Sequence, residues 1–233
     1  RNLIRDGLVT RFDLTHPELP KPERFVLNLP GQHNVLNAMA AIAVAIELGV
    51  ETAAIQSALS TFSGIDRRLQ VLDTVETRAG SVLFVDDYGH HPTEIRAVLS
   101  TVRDAWDRRT IVCFQPHRYS RSQMLKDDFG RAFYQADRVL VLPIYAAGED
   151  PIEGVTSEAL ATSIKEHGHK QVENVAGLAE ATETLAAMVR PGDLVLTLGA
   201  GDVWKVARDL ARRLSGDSAL ADPDPTTASG NDH

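Results

Sequence analysis

The chain has 233 residues, 43% hydrophobic and 24% charged, enough for one large domain or two small ones with a buried core. Its 24 lysines and arginines face 32 aspartates and glutamates, and a net charge of −8 argues against a nucleic-acid binder held by phosphate contacts. The single cysteine, Cys113, rules out a disulfide framework and a cysteine-rich metal site; no apolar run reaches the roughly 20 residues of a bilayer span, so a reducing, cytoplasmic setting is expected.

The chain opens at Arg1 without an initiator methionine, and its first thirty residues read as strands in need of partners upstream, so a fragment of a longer protein is expected. Candidate strands are Leu8–Phe12 and Phe25–Leu29, around a proline-rich connector at Pro17, Pro20 and Pro22. Pro30-Gly31 stops the second strand, and a helix runs from His33 or Asn34 to Leu48. Apolar residues encircle that helix (Val35, Leu36, Ala38, Met39, Ile42, Val44, Ile46), which predicts burial on every side. A short helix from Thr52 to Phe62 follows, and Ser63-Gly64 marks a boundary. Strands are then expected at Val82–Asp86, Thr110–Phe114, Arg138–Leu142 and Leu194–Leu198, with a weaker one near Gln171-Val172. Between them, Ile95, Val98, Leu99 and Val102 repeat at helical spacing, and Leu178, Ala181, Leu185 and Met188 keep a comparable face. Apolar strands alternating with helices predict an α/β fold, a Rossmann-like doubly wound and mostly parallel sheet. A last helix spans Asp202 to Leu214. The remainder, rich in Asp, Pro, Ser and Gly, reads as a disordered tail.

In such a sheet, ligands sit beyond the carboxyl ends of the strands, where loops and helix N-termini offer unpaired backbone N–H groups. The first of these ends reads Asp86-Asp87-Tyr88-Gly89-His90-His91-Pro92-Thr93-Glu94, with Pro92 suited to the first position of a helix. Capping alone does not call for so dense a polar cluster. Zinc is the weaker reading, because adjacent His90 and His91 point different ways unless the loop bends and no other local ligand completes a tetrahedron. At the next end, Gln115-Pro116-His117-Arg118-Tyr119-Ser120-Arg121, Ser120 is placed to cap a helix starting at Arg121. Arg118 and Arg121 then form an anion site in which guanidinium forks and backbone donors act together. Gly199 and Gly201, in Gly199-Ala200-Gly201-Asp202, permit close approach of a ligand or tight helix packing. As a dinucleotide fingerprint that run fails, since no acidic residue follows about twenty positions later at a strand end. Upstream, His33 and Asn37 lie one turn apart on one helix face, where an imidazole and an amide can read a purine edge. Arg67 and Arg68 stand on the boundary, where an arginine reaches a phosphate only when two domains close.

Together these motifs resemble the Mur ligase family, ATP-dependent amide-forming enzymes of peptidoglycan synthesis. Gly31 to Ala38, Arg67-Arg68, Asp86 to Glu94, Pro116 to Arg121, Tyr145 to Glu149 and Thr197 to Asp202 carry the resemblance, in the family's order. Within the family the likeness is greatest to the branch that joins L-alanine to UDP-N-acetylmuramate. The murein-tripeptide recycling branch, with a similar Asp-Asp-aromatic-x-His-His-Pro loop, is the alternative. The resemblance implies that residues 1–64 are the end of a central ATP-binding domain, residues 65–215 a C-terminal Rossmann-like ligase domain, and 216–233 a tail.

The implied chemistry is phosphorylation of the muramoyl carboxylate by ATP, followed by attack of the L-alanine amine on the acyl phosphate, with Mg2+ held mainly outside this chain. It implies His33, Asn34 and Asn37 at adenine or ribose, Asp87 at the ribose hydroxyls or a bridging water, and Arg67 or Arg68 at the γ-phosphate. Tyr88, His90, His117, Arg118 and Arg121 are implied around the amino-acid and acyl-phosphate end, with Gly199 and Gly201 beside substrate. Arg67, Arg68, His90 and Arg121 are thus the catalytic candidates, and spacing alone does not assign a general base. The chain departs from the family in having no Gly-x-x-x-x-Gly-Lys-(Ser/Thr) run, so it is expected to be inactive without a P-loop segment supplied from outside its 233 residues. Two other readings stand beside this one: a module that captures a nucleotide or amino acid without catalysis, and a nicotinamide-dependent oxidoreductase, for which the fingerprint is missing. Neither nucleic acid nor membrane is an expected partner.

Overall fold

A computed structural model describes residues 2–6, 9–62, 64–77 and 80–216. Strands β1 (Ile4–Asp6), β2 (Val9–Leu14) and β3 (Glu23–Leu27) form an antiparallel meander in which Phe12 pairs with Phe25 and their rings stack at 5.9 Å. Helices α1 (Gln32–Glu47) and α2 (Thr52–Thr61) cover one face of it, enclosing Phe12, Phe25, Leu27, Ala38, Ile42 and Ile55.

The rest of the chain builds a six-stranded sheet from β4 (Gln70–Thr77), β5 (Gly80–Asp87), β6 (Thr110–Phe114), β7 (Arg138–Val141), β8 (Val172–Asn174) and β9 (Leu194–Leu198). The spatial order is β4-β5-β9-β6-β7-β8, parallel throughout except for β4, which pairs antiparallel with β5. On one face lie α3 (Pro92–Ala105), α5 (Lys126–Gly130) and α6 (Ser157–Glu166); on the other lie α7 (Leu178–Met188) and α8 (Trp204–Ser215). A short helix, α4 (Tyr119–Met124), precedes α5. The last strand, β9, slots between β5 and β6, so the carboxyl ends of three central strands are neighbours. Each of these strands is apolar and buried, as a sheet covered on both faces requires.

The structure departs from the sequence reading at several elements. Helix α1 is not buried all round: Val35, Ala38 and Ile42 face the meander, whereas Leu36 and Val44 are 57% and 61% exposed. An apolar face is buried only where something packs on it, and the described residues supply a partner on one side. Helix α4 begins at Tyr119 with Arg118 at its N-cap, so Ser120 does not cap it. The chain enters that helix from a bridge between His117 and Tyr145, closed by the Arg118 amide donating to the Tyr145 carbonyl at 2.8 Å, which fixes the helix start early. Strand β4 and helix α6 were not expected. The first carries no regular apolar alternation and buries only Val75, whereas Thr156, whose hydroxyl accepts from the Ala159 amide at 3.1 Å, signals the second. Among the described residues no helix is long and apolar enough to cross a membrane. Leu8, Ser63 and the tail from Asp217 onward lie outside the described residues.

Phe114 is fully buried at the end of β6, with the Phe129 and Phe133 rings 5.5 and 5.1 Å away. Phe114→Ala should lower the unfolding free energy by about 3–5 kcal/mol. Leu36→Ala, on the uncovered face of α1, should change it by less than about 0.5 kcal/mol. Urea unfolding followed by circular dichroism measures both, and equal losses would contradict the packing described.

Candidate functional site

The end of β5 begins with two adjacent carboxylates that face opposite ways, as the strand period dictates. Asp86 is fully buried, and its carboxylate accepts from the Thr197 hydroxyl on β9 at 2.6 Å and from Arg67 Nε at 2.9 Å. Burial raises its pKa, and the Thr197 and Arg67 hydrogen bonds offset this only in part. Asp87 is almost as buried and accepts the backbone N–H of Leu69 at 2.8 Å and of Gly89 at 2.7 Å. Burial pushes its carboxyl up to about 6, against the pull of the Gly89 and Leu69 amides and of Arg68.

Pro92 opens α3 at its first turn. His91 Nδ1 accepts from the Thr93 amide, while Glu94 accepts from the His90 and His91 amides at 3.0 and 3.1 Å. This reciprocal cap holds the loop rigid. Burial tends to raise the Glu94 carboxyl, but the His90 amide and ring, the His91 amide and Arg68 together hold it below the ordinary value.

Between the two parts of the chain lies a cleft of about 830 Å³, of a size suited to a small organic ligand. Its walls are largely apolar, with Leu27, Leu29, Phe62 and Val98 among them, and its polar groups are His33, Asn34, Asn37, Arg68, Asp87, Thr93 and Glu94. The Asn34 amide is tied to the Pro30 carbonyl at 2.8 Å, whereas His33 and Asn37 stand on the α1 face that meets the cleft. Burial, and then Arg68, lowers the His33 pKa, which favours a neutral imidazole carrying one donor and one acceptor. The cleft therefore gathers His33, Asn34, Asn37, Asp87 and Arg68 from three separate stretches of sequence.

A second group of side chains lies along the ends of β5, β6 and β7. Rings follow one another from Tyr88 to His90 at 5.4 Å, to His117 at 5.8 Å and to Tyr145 at 5.6 Å. The hydrogen bonds assign the imidazole tautomers. His90 Nδ1 lies 3.0 Å from the Tyr88 carbonyl, which can only accept, so Nδ1 carries the proton and Nε2 the lone pair. Arg121 can only donate, so His117 Nδ1, 3.3 Å from it, accepts, and Nε2 of the neutral ring carries the proton. Burial and the neighbouring Arg121, His90 and Arg118 side chains hold His117 below its ordinary pKa, with Glu149 opposing.

The boundary arginines part company. Arg68 is half exposed and lines the cleft, 3.9 Å from Glu94. Arg67 turns away from it: besides Asp86, its Nη1 donates to the Gly201 carbonyl at 3.0 Å and its Nη2 to the Gly199 carbonyl at 2.6 Å. Gly199 and Gly201 are packed from within. A Cβ on Gly199 would lie 2.6 Å from the Gln115 carbonyl oxygen, and one on Gly201 would strike the Gln115 side chain and the Tyr145 ring. At α4 the backbone donors are taken by the chain's own Glu149, which accepts from the Ser120 amide at 2.9 Å and hydroxyl at 2.6 Å and stands 3.9 Å from Arg118. The expected anion position therefore holds an internal carboxylate, and Arg121 remains beside His117. Sequence reading missed the buried Gln115, which donates to Asp202 at 2.9 Å and accepts from the Val203 amide at 3.2 Å. A polar residue directly after an apolar strand was its only signal. Among the described residues no three His, Cys, Asp or Glu side chains converge to hold a metal.

The environment of Asp87 gives a pH signature. Because its folded pKa lies above the ordinary value, the folded state binds the proton more tightly, and this contribution to stability is lost as pH rises from about 4 to about 6. Carboxyl carbon-13 NMR should show Asp87 titrating with a midpoint near 6. A midpoint near 4 would mean the site is wetter than described.

Known proteins resemble this chain in sequence and in fold. The family described as "Mur ligase, glutamate ligase domain" matches residues 67–201, more than half of the chain. The UDP-N-acetylmuramate–L-alanine ligase of Desulfosudis oleivorans is 56% identical over 185 residues, covering 79% of this chain and 40% of that protein. Its counterpart from Geotalea uraniireducens is 50% identical over 211 residues, covering 91% and 45%. The chain thus spans less than half the length of the curated relatives it matches. The crystal structure of the UDP-N-acetylmuramate-alanine ligase of Thermotoga maritima superposes with a TM-score of 0.75 at 28% identity, covering 91% of this chain and 44% of that one. The MurF ligase of Acinetobacter baumannii, at 21% identity and a TM-score of 0.67, shares the fold. The chain belongs to the Mur ligase family.

Proposed function

We propose that this chain is part of a cytoplasmic ATP-dependent ligase that joins L-alanine to UDP-N-acetylmuramate through an acyl phosphate. One observation carries the reading: a sequence 50–56% identical to enzymes named for that reaction brings its polar strand-end residues into two adjoining groups, the cleft and the ring cluster. In this reading the cleft takes the nucleotide. Its apolar walls suit a planar base, His33 and Asn37 offer donor and acceptor pairs to its edge, and Asp87 keeps lone pairs for ribose hydroxyls after accepting two amides. Arg68, at the mouth of the same cleft, is the cation that meets the terminal phosphate and offsets charge growing on it. The P-loop, and with it most of the Mg2+ ligands, comes from outside these 233 residues. Mg2+ when bound would neutralise phosphate charge, and the described residues supply no dedicated cage for it.

The ring cluster takes the amino acid. Arg121, held by His117, provides a fork for the L-alanine carboxylate. His117 Nε2–H is a hydrogen-bond donor toward the same end. His90, with Nδ1–H fixed on a backbone carbonyl, presents Nε2 as the acceptor for the proton that the amine loses when it attacks the acyl carbon.

In the intact enzyme, phosphate release from ATP should require both UDP-N-acetylmuramate and L-alanine. Activity with a tripeptide in place of L-alanine would support the recycling branch instead, and nucleotide binding without turnover would reject the ligase reading. Arg121→Ala should lower kcat/KM for L-alanine roughly 100-fold or more while leaving the unfolding midpoint nearly unchanged. Loss of the fold with unchanged specific activity would remove Arg121 from the site.

A further inference from the structure

We propose that Arg67 is a positioning residue that fixes the linker so that Arg68 projects into the nucleotide cleft, an inference that rests on the ligase reading above. The side chain of Arg67 is spent within the protein. Its three guanidinium nitrogens donate to Asp86 on β5 and to the Gly199 and Gly201 carbonyls after β9, and its plane lies 5.1 Å from the centre of the Tyr88 ring.

The backbone is pinned just as closely. The Arg67 carbonyl accepts from the Tyr88 amide at 2.7 Å, its amide donates to the Gln70 side chain at 2.8 Å, and two residues later the Leu69 amide donates to Asp87. Arg67 and Leu69 both have positive φ, 61° and 47°, a conformation that a side-chain-bearing residue holds only when its surroundings impose it. Arg68 lies between these two anchored residues and has little latitude in backbone direction. Its own guanidinium sits 5.8 Å from the centre of the same Tyr88 ring and lines the cleft. The two adjacent arginines therefore divide the work: Arg67 holds the segment against the six-stranded sheet, and Arg68 faces the nucleotide.

A double-mutant cycle in the intact enzyme tests this division. Arg68→Ala should lower kcat strongly. Arg67→Ala should lower kcat roughly 10- to 100-fold, the scale of a misplaced catalytic group, with little change in the KM for L-alanine. The double variant should be no slower than Arg68→Ala alone, because Arg67 acts through its neighbour. Added guanidinium should restore part of the activity of Arg67→Ala. Multiplicative losses in the double variant, or wild-type turnover in Arg67→Ala, would overturn the proposal.

Hydrogen exchange followed by mass spectrometry gives a readout independent of turnover. Arg67→Ala, or Arg67→Gln should the alanine variant fail to fold, should exchange faster at the Leu69 and Tyr88 amides and unchanged in α1. Unchanged exchange at those amides would also overturn the proposal. A wild-type enzyme without L-alanine-dependent turnover would defeat the ligase reading, and the exchange result would still decide whether Arg67 anchors the linker.

Discussion

The contact on which the site depends is the buried ion pair between Arg67 and Asp86. A carboxylate fully removed from water at the carboxyl end of a strand is costly unless it is well hydrogen-bonded, and here Thr197 and Arg67 meet that need from β9 and from the linker. The same guanidinium also reaches the carbonyls of Gly199 and Gly201, so a single cation ties together three segments far apart in sequence. Such a pair adds little to net stability, since desolvation consumes much of the attraction. Its effect is to choose one arrangement of loops over the alternatives. The left-handed conformations of Arg67 and Leu69 persist because this network over-determines them.

Strand order makes the network possible. By inserting between β5 and β6, β9 brings the loops after all three strands to one rim. The loop after β5 then serves two sides at once. Asp87 and Glu94 line the cleft against α1, while His90 lies on the opposite side with His117, and Tyr88 stands between them against both arginines. A nucleotide and an amino acid bound to the two sides would share one rigid, capped loop.

Charge is distributed against the average. The chain is acidic by eight charges, yet Arg67, Arg68, Arg118 and Arg121 gather at the strand ends, where phosphate and carboxylate groups would be handled. Some of that positive potential is answered internally. Glu149 sits on the first turn of α4 and near Arg118, and Asp86 neutralises Arg67. Arg68 and Arg121 have weaker partners, a carboxylate at 3.9 Å and a neutral imidazole at 3.3 Å, and these two keep the capacity to meet an incoming anion.

The sequence by itself determined the alternation of strand and helix, the mostly parallel sheet, and the clustering of chemistry at strand ends, because hydrophobic periodicity is a local property and strand-end loops are where polar side chains interrupt it. Pro92 at the start of α3 and the His33 and Asn37 face of α1 were legible for the same reason. Only the tertiary structure decided what each polar residue serves. Nothing in Arg67-Arg68 distinguishes two identical side chains, and the separation follows from a buried carboxylate 19 positions away and carbonyls more than 130 positions away. Glu149 filling the start of α4, Gln115 bracing Gly201, and the uncovered face of α1 were likewise invisible, since each depends on what lies across space from it. Hydrogen-bond partners and packing are long-range facts, and a one-dimensional pattern records only the half of each contact that lies along the chain.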